Sequence, residues 1–135
     1  LNQLRFEDSI ALFTVETLKY LRQGGRIGKV EGSIGDLLNV KPVIFVNDEG
    51  VYETKSKGFG INRTLISMRN EVQKKFGKEL IDVTIHYGNN TVKAENLKLK
   101  IEQSFNTKNV EMVQLTPVLG IHTGPEMFAI IAKRA

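Results

Sequence analysis

The sequence predicts an α/β fold, a two-layer sandwich in which helices pack against a mixed β-sheet that includes a hairpin. β-rich runs alternate with segments of helical periodicity along the whole chain. The residues Asn-Asp-Glu-Gly at 47–50 separate two β-rich runs, which is a typical hairpin signal. With 135 residues and no internal repeat, the chain is predicted to form a single domain, 1–135.

The first quarter of the chain contains an apolar run, 10–15 (IALFTV), that is either a strand or the first turn of a helix. A helix is predicted over 17–23, where leucines recur at helical spacing. Gly24 and Gly25 are expected to end it, because glycine readily adopts the left-handed conformation found at helix ends. A second short helix is predicted over 30–39.

The centre of the chain has the clearest periodicity. Strands are predicted at 43–46 and 51–55, on either side of the hairpin turn. An amphipathic helix should come next and end at Gly77, since apolar residues recur at steps of four, three, four and four: Ile61, Leu65, Met68, Val72 and Phe76.

The last third of the chain alternates strand and helix. Apolar residues at 81, 83 and 85 predict a half-buried strand, and Thr91 is a candidate N-cap for a helix after it. Residues 91–105 fit both periods, but their length and their Lys, Glu, Leu and Ala content favour a helix. Strands are predicted at 110–115 and 127–132.

The composition is that of an ordinary globular domain, with 41% hydrophobic and 25% charged residues. No apolar run approaches the roughly 18 residues that cross a bilayer, and no secretion signal is visible. Without cysteine there is no disulfide or thiolate site, and a cytoplasmic location is the simplest expectation. The net charge of +4 comes from scattered lysines, which does not favour a nucleic-acid binder.

A glycine-framed segment, 24–29 (GGRIGK), presents Arg26 as a candidate anion-binding residue. The guanidinium is always charged, and its planar fork of donors fits a carboxylate or phosphate. The bland alternative is a helix C-cap followed by an exposed basic turn. The segment is not a phosphate-binding P-loop, because Val30 stands where that motif needs Ser or Thr.

A second glycine-framed segment, HTGP at 122–125, presents His122, which can donate to an anion and titrate near neutrality. If Arg26 and His122 meet in the fold, they form an anion-binding site. No nucleophile, carboxylate pair, cofactor motif or metal-ligand cluster accompanies them, and His86 is expected to be structural or at the surface. The alternative is an enzyme acting on a small carboxylated or phosphorylated metabolite, with His122 as general acid or base.

Three segments resemble the C-terminal domain of the DegV family, which comprises bacterial fatty-acid-binding proteins of two domains. Residues 12–27 resemble the segment that opens that domain, and 37–44 (LLNVKPVI) resemble its LLN-x-KP-I continuation. Residues 120–125 (GIHTGP) resemble its H-T/x-G-P loop, and His86 ahead of a helix also fits.

The resemblance implies a non-enzymatic protein that holds a long-chain fatty acid in an apolar tunnel, with the carboxylate where two domains meet. By this resemblance, the N-terminal domain would be missing from the chain, and the ligand-binding residues would be Gly25, Arg26, Ile27, His122, Thr123 and Gly124. Some family members present the carboxylate to a fatty acid kinase. Residues 55–63 depart from those members, since lysine stands where arginine is expected.

Overall fold

The computed structural model describes residues 9–25, 27–30, 39–115 and 127–135. These residues form a mixed sheet with helices, which confirms the predicted fold class. The predicted short helix at 30–39 lies almost wholly outside the described residues. The elements are, in chain order, β1 (Ser9–Val15), α1 (Lys19–Gln23), β2 (Val40–Val46), β3 (Tyr52–Phe59), α2 (Gly60–Phe76), β4 (Ile81–Tyr87), α3 (Thr91–Ser104), β5 (Thr107–Gln114) and β6 (Met127–Arg134).

The six strands form one sheet in the order β3-β2-β1-β6-β4-β5. The neighbouring strands are antiparallel except for β4 and β5, which are parallel and are joined through α3. The last strand, β6, therefore lies between β1 and β4 near the middle of the sheet. This position ties the end of the chain to the first strand.

The predicted hairpin is confirmed, with β2 and β3 paired around the 47–50 turn. The Asn47 side-chain oxygen accepts hydrogen bonds from the backbone N–H groups of Glu49 at 2.9 Å and Val51 at 3.0 Å. Strand β3 runs to Phe59, four residues past the predicted end at Lys55. It is an edge strand with alternating exposed residues, so the extension carries no apolar pattern.

The two long helices confirm their predictions, including the choice of helix for residues 91–105. Gly77, with φ of +56°, follows α2 at its C-terminus. The predicted N-cap of α3 is wrong by one residue: Asn90, not Thr91, caps the helix, and its side chain accepts from the Lys93 N–H at 3.0 Å. Thr91 is already helical, and an N-cap must lie outside the helical turn whose N–H groups it satisfies.

Helices α2 and α3 contribute to the main hydrophobic core on the face of the sheet that we call the first face. Because side chains alternate along a strand, every second residue of β4 points there. The core includes, from the helices, Leu65, Met68, Val72, Leu97 and Ile101, and from the strands, Leu12, Val43, Val83, Ile85, Phe128 and Ile130.

A smaller apolar cluster lies on the opposite, second face of the sheet. Its buried members come from β1, α1, residue 30, β2 and β6: Val15, Leu21, Val30, Ile44 and Met127. Partly buried residues pack around them, namely Phe13, Leu18, Ile27, Val40, Tyr52, Leu115 and Ala129. Besides strand residues, the cluster contains residues of α1 and of the 27–30 turn, together with Leu18 just before α1 and Leu115 just after β5.

Candidate ligand-binding face

The second face carries a row of side chains across the middle of the sheet. The strand register places Phe13 opposite Ala129 and Ala129 opposite His86. Residues directly opposite one another share a face, so these three side chains are neighbours. The row continues to both edges through Thr54 and Ile44 on one side and Val113 on the other.

The second face exposes several large apolar side chains to solvent. Four large apolar residues on it are between 40% and 61% exposed: Val46, Phe59, Val113 and Ile131. The solvent-facing side of an antiparallel sheet usually carries polar residues. An extended apolar surface of this kind indicates contact with a ligand or another protein surface.

The GGRIGK segment docks against this face through its own glycine. At Gly28 φ is +57°, and an added Cβ would lie 2.7 Å from the carbonyl oxygen of Tyr52. The neighbouring Lys29 N–H donates to that same oxygen at 2.9 Å. At Gly25, with φ of +69°, an added Cβ would meet nothing within 4 Å. The close approach permitted by Gly28 is therefore to β3 of the same chain.

Ile27 anchors the segment that carries Arg26. Its half-buried side chain packs in the second-face cluster with Leu21 of α1 and Val30. The Val30 N–H donates to the Ile27 carbonyl at 3.2 Å, which closes a tight turn over 27–30. Arg26 itself lies outside the described residues. Its two neighbours are placed, with Gly25 exposed and Ile27 on the second face.

The two described residues that flank the His122 segment, Leu115 and Met127, are both hydrogen-bonded to the backbone of residues 87 and 88. The Leu115 N–H donates to the Tyr87 carbonyl at 2.8 Å, and the Gly88 N–H donates to the Met127 carbonyl at 3.1 Å. Leu115 and Met127, which flank residues 116–126, both belong to the second-face cluster that holds Ile27. His122, Thr123 and Gly124 lie outside the described residues.

His86 lies on the second face, half-buried in the row between Ala129 and Val113. Burial lowers the pKa of this imidazole below its usual value of 6.5. The neutral form is therefore favoured, as suits a polar group beside an apolar surface. This half-buried position is compatible with the expected structural or surface placement, which stays a prediction.

The aromatic pair Phe13 and Tyr52 completes the centre of this face. Their ring centroids are 5.2 Å apart at an interplanar angle of 73°, an edge-to-face arrangement. Tyr52 thus contacts Phe13 with its ring and Lys29 with its carbonyl oxygen. Sequence reasoning missed both aromatic residues as site candidates, because residues 10–15 are apolar at nearly every position and so do not indicate which of them share a face.

Near the start of β1, where β1 is no longer paired with β2, the described residues form a cavity of about 970 Å³ that is lined from both faces of the sheet. Ala11 and Ile131, paired across β1 and β6, are among its lining residues. Most of its other lining residues belong to the first face or to α2, and they include Ile10, Leu12, Phe45, Glu71, Lys74 and Lys75. The apolar surface of the second face therefore runs from the cluster around Val15 and Met127, past Phe13 and Ala129, to Ala11 and Ile131.

The described residues form neither a metal cluster nor a helical membrane span. No three side chains of His, Asp or Glu lie close enough together there to hold a metal ion. Of the helices formed by those residues, none is both long and apolar enough to cross a membrane.

The fold and the second face define a class of protein: an α/β sandwich with one sheet face covered by two long helices and a partly exposed apolar surface on the other. A family model described as "uncharacterised protein, DegV family" matches residues 4–134. The chain belongs to the DegV family.

Relatives and solved structures agree with this assignment. A DegV domain-containing protein of Clostridium acetobutylicum is 34% identical over 119 residues, which cover 88% of this chain and 42% of that protein. A DegV family protein from Thermus thermophilus, described as fatty acid binding, superposes with a TM-score of 0.87 at 26% identity, covering 99% of this chain and 48% of that one.

A protein from Eubacterium ventriosum, described as stearic acid-binding, superposes with a TM-score of 0.82 at 28% identity and covers 95% of this chain and 45% of that one. The chain thus spans less than half the length of each of these three relatives.

Proposed function

We propose that this chain is the C-terminal domain of a two-domain DegV protein and forms one wall of a binding site for a long-chain fatty acid. The observation that carries the proposal is that the two candidate segments pack against the same apolar cluster through residues next to them in the chain. The neighbour of Arg26 and both residues that flank the His122 segment pack in one apolar cluster on the second face. The fatty-acid-binding descriptions of the Thermus and Eubacterium proteins support the choice of ligand.

The acyl chain lies on the second face along β1 and β6 in this proposal. Phe13 and Ala129 form its bed, and Ala11 and Ile131 continue it along the second face. Each methylene removed from water contributes about 0.8 kcal/mol, so a long chain supplies most of the affinity. The apolar residues that the sheet leaves partly exposed become buried by the ligand and by the N-terminal domain.

The carboxylate is held at the opposite end, beside the second-face cluster, by Arg26 and His122. A carboxylate taken out of water is costly unless it is paired and hydrogen-bonded. A guanidinium supplies both charge and two parallel donors, and an imidazole supplies one more donor. Gly25, Ile27, Thr123 and Gly124 shape the two segments in this role.

The protein acts in this proposal by holding its ligand in the cytoplasm, without catalysis. The enzyme alternative requires His122 to move a proton, and it predicts turnover with a bell-shaped pH profile. The fatty acid kinase implied as a partner by the family resemblance stays a prediction, with Lys55, Lys57 and Arg63 as the region to test.

The direct experiment extracts lipid from the full-length protein purified from bacteria and identifies it by mass spectrometry. The proposal expects a long-chain fatty acid in near-stoichiometric amount. Protein that carries no fatty acid and does not bind added fatty acid contradicts the proposal.

The role of Arg26 is tested separately, with Lys29→Ala as the matched control, because Lys29 is an exposed cation on the same segment. Arg26→Ala should weaken fatty acid binding at least tenfold, since a charge-assisted pair contributes about 1.5–3 kcal/mol. Binding of the corresponding acyl alcohol should change little. Equal losses for acid and alcohol would assign Arg26 a structural role.

A further inference from the structure

The helical layer, on the opposite side of the sheet from the second face, contains a groove between α2 and α3. Its volume is about 280 Å³. Each helix contributes one stripe of residues spaced at single helical turns. The α2 stripe consists of Asn62, Leu65, Ile66 and Arg69, and the α3 stripe consists of Lys93, Asn96, Leu97 and Lys100.

All the charged side chains that line this groove are positively charged. Arg69, Lys93 and Lys100 line it, and no carboxylate does. Lys93 Nζ donates to the Asn62 side-chain oxygen at 2.8 Å, which is a neutral partner. Within residues 9–25, 27–30, 39–115 and 127–135, no acidic side chain lies within ion-pair distance of Arg69 or Lys100.

The floor of the groove is apolar. Leu65 and Leu97 are buried beneath it, and Ile66 is 39% exposed at its edge. Small-molecule sites usually occupy about 300–1,000 Å³, so this groove is on the small side for a free ligand. It has room for one or two apolar side chains, with cations along its rim.

These features fit an acidic, amphipathic segment of a partner protein. We propose that the groove docks such a segment, with an apolar side chain against Ile66 and carboxylates facing Arg69 and Lys100. Helix-in-groove recognition uses this pairing of an apolar seam with flanking charges. The assignment does not depend on fatty acid binding, because the groove and the second face lie on opposite sides of the sheet.

Nucleic acid fits the groove less well than an acidic peptide does. The exposed face of α3 also carries Glu95 and Glu102, which repel a polyanion, and no aromatic side chain lines the groove for base stacking. A discrete protein segment can place its carboxylates on the three cations and avoid the two glutamates.

The test uses the full-length protein and a labelled synthetic helical peptide that presents leucine and glutamate on one face. The groove variant is Arg69→Glu with Lys100→Glu. The matched control is Lys78→Glu with Lys108→Glu, which makes the same change in net charge at exposed positions outside the groove lining. Urea unfolding of both variants confirms that each one is folded.

The expected result is salt-dependent binding of the peptide to the wild type, at least tenfold weaker binding to the groove variant and a change of less than about twofold in the control. Ile66→Ser should weaken binding without changing the salt dependence. Three outcomes overturn the proposal: no binding to the wild type, equal losses in the two double variants, or tighter groove-dependent binding of an RNA oligonucleotide or of anionic vesicles than of the peptide.

Discussion

The docking of the GGRIGK segment on β3 leads to a prediction that compares two glycines. Gly25 and Gly28 both have positive φ, at +69° and +57°, so alanine at either position has a strained backbone. That strain costs about 1–2 kcal/mol per residue. The benefit of alanine in the unfolded state is also the same at both positions. These shared contributions cancel when the two variants are compared.

The difference comes from the surroundings of the two residues. A Cβ at Gly28 would lie 2.7 Å from the Tyr52 carbonyl oxygen and 3.1 Å from Val51 Cγ1, whereas a Cβ at Gly25 meets nothing. Relief of that clash moves the segment away from β3 and breaks the 2.9 Å hydrogen bond from Lys29 to Tyr52. A lost hydrogen bond costs about 1 kcal/mol, and the displaced packing of Ile27 adds to it.

We therefore expect Gly28→Ala to lower the free energy of unfolding by about 2–4 kcal/mol and Gly25→Ala by about 1 kcal/mol. The assay is urea unfolding of the full-length protein, with m-values compared between variants. Fatty acid binding should also weaken more for Gly28→Ala, because only that variant displaces the segment that carries Arg26. Losses of stability that agree within about 0.5 kcal/mol would refute the docking of Gly28 on Tyr52.

Three further predictions concern single side chains. Gly58→Ala should destabilise the protein by more than about 2 kcal/mol in urea unfolding, because its Cβ would lie 2.6 Å from the backbone of Thr64; a loss below about 0.5 kcal/mol would contradict this. Thr14→Val should raise the melting temperature, since the buried Thr14 hydroxyl has no hydrogen-bond partner among the described residues; a lowered melting temperature would indicate a partner elsewhere. The lowered pKa of His86 means that the unfolded state binds more protons, so stability should fall as pH drops below 6.5, and His86→Gln should lose that part of the pH dependence; an unchanged pH profile in the variant would contradict it.

Local patterns predicted most of the individual elements. The alternation at 81, 83 and 85 identified β4 and the face on which its apolar residues lie, and the 61–76 spacing identified α2. The ends were less well determined. Asn90 and Thr91 are both good capping residues one position apart, and β3 beyond Lys55 has no apolar period because it is an edge strand.

The candidate site depended on contacts that local patterns do not contain. The position of β6 between β1 and β4 joins residues far apart in the chain, and it creates the row of Phe13, Ala129 and His86. The glycines of the GGRIGK segment indicated a close approach, but the sequence did not identify Tyr52 as the partner. The prediction that Arg26 and His122 meet rests on their flanking residues, which share one cluster.

The location of the acyl chain is the central claim, and photolabelling tests it most directly. The full-length protein would be loaded with a fatty acid that carries a photoreactive group along its chain, irradiated, digested and analysed by mass spectrometry. We expect the label on β1 and β6, at residues such as Phe13, Ala129 and Ile131. Label confined to α2 and α3, on the other side of the sheet, would contradict the account.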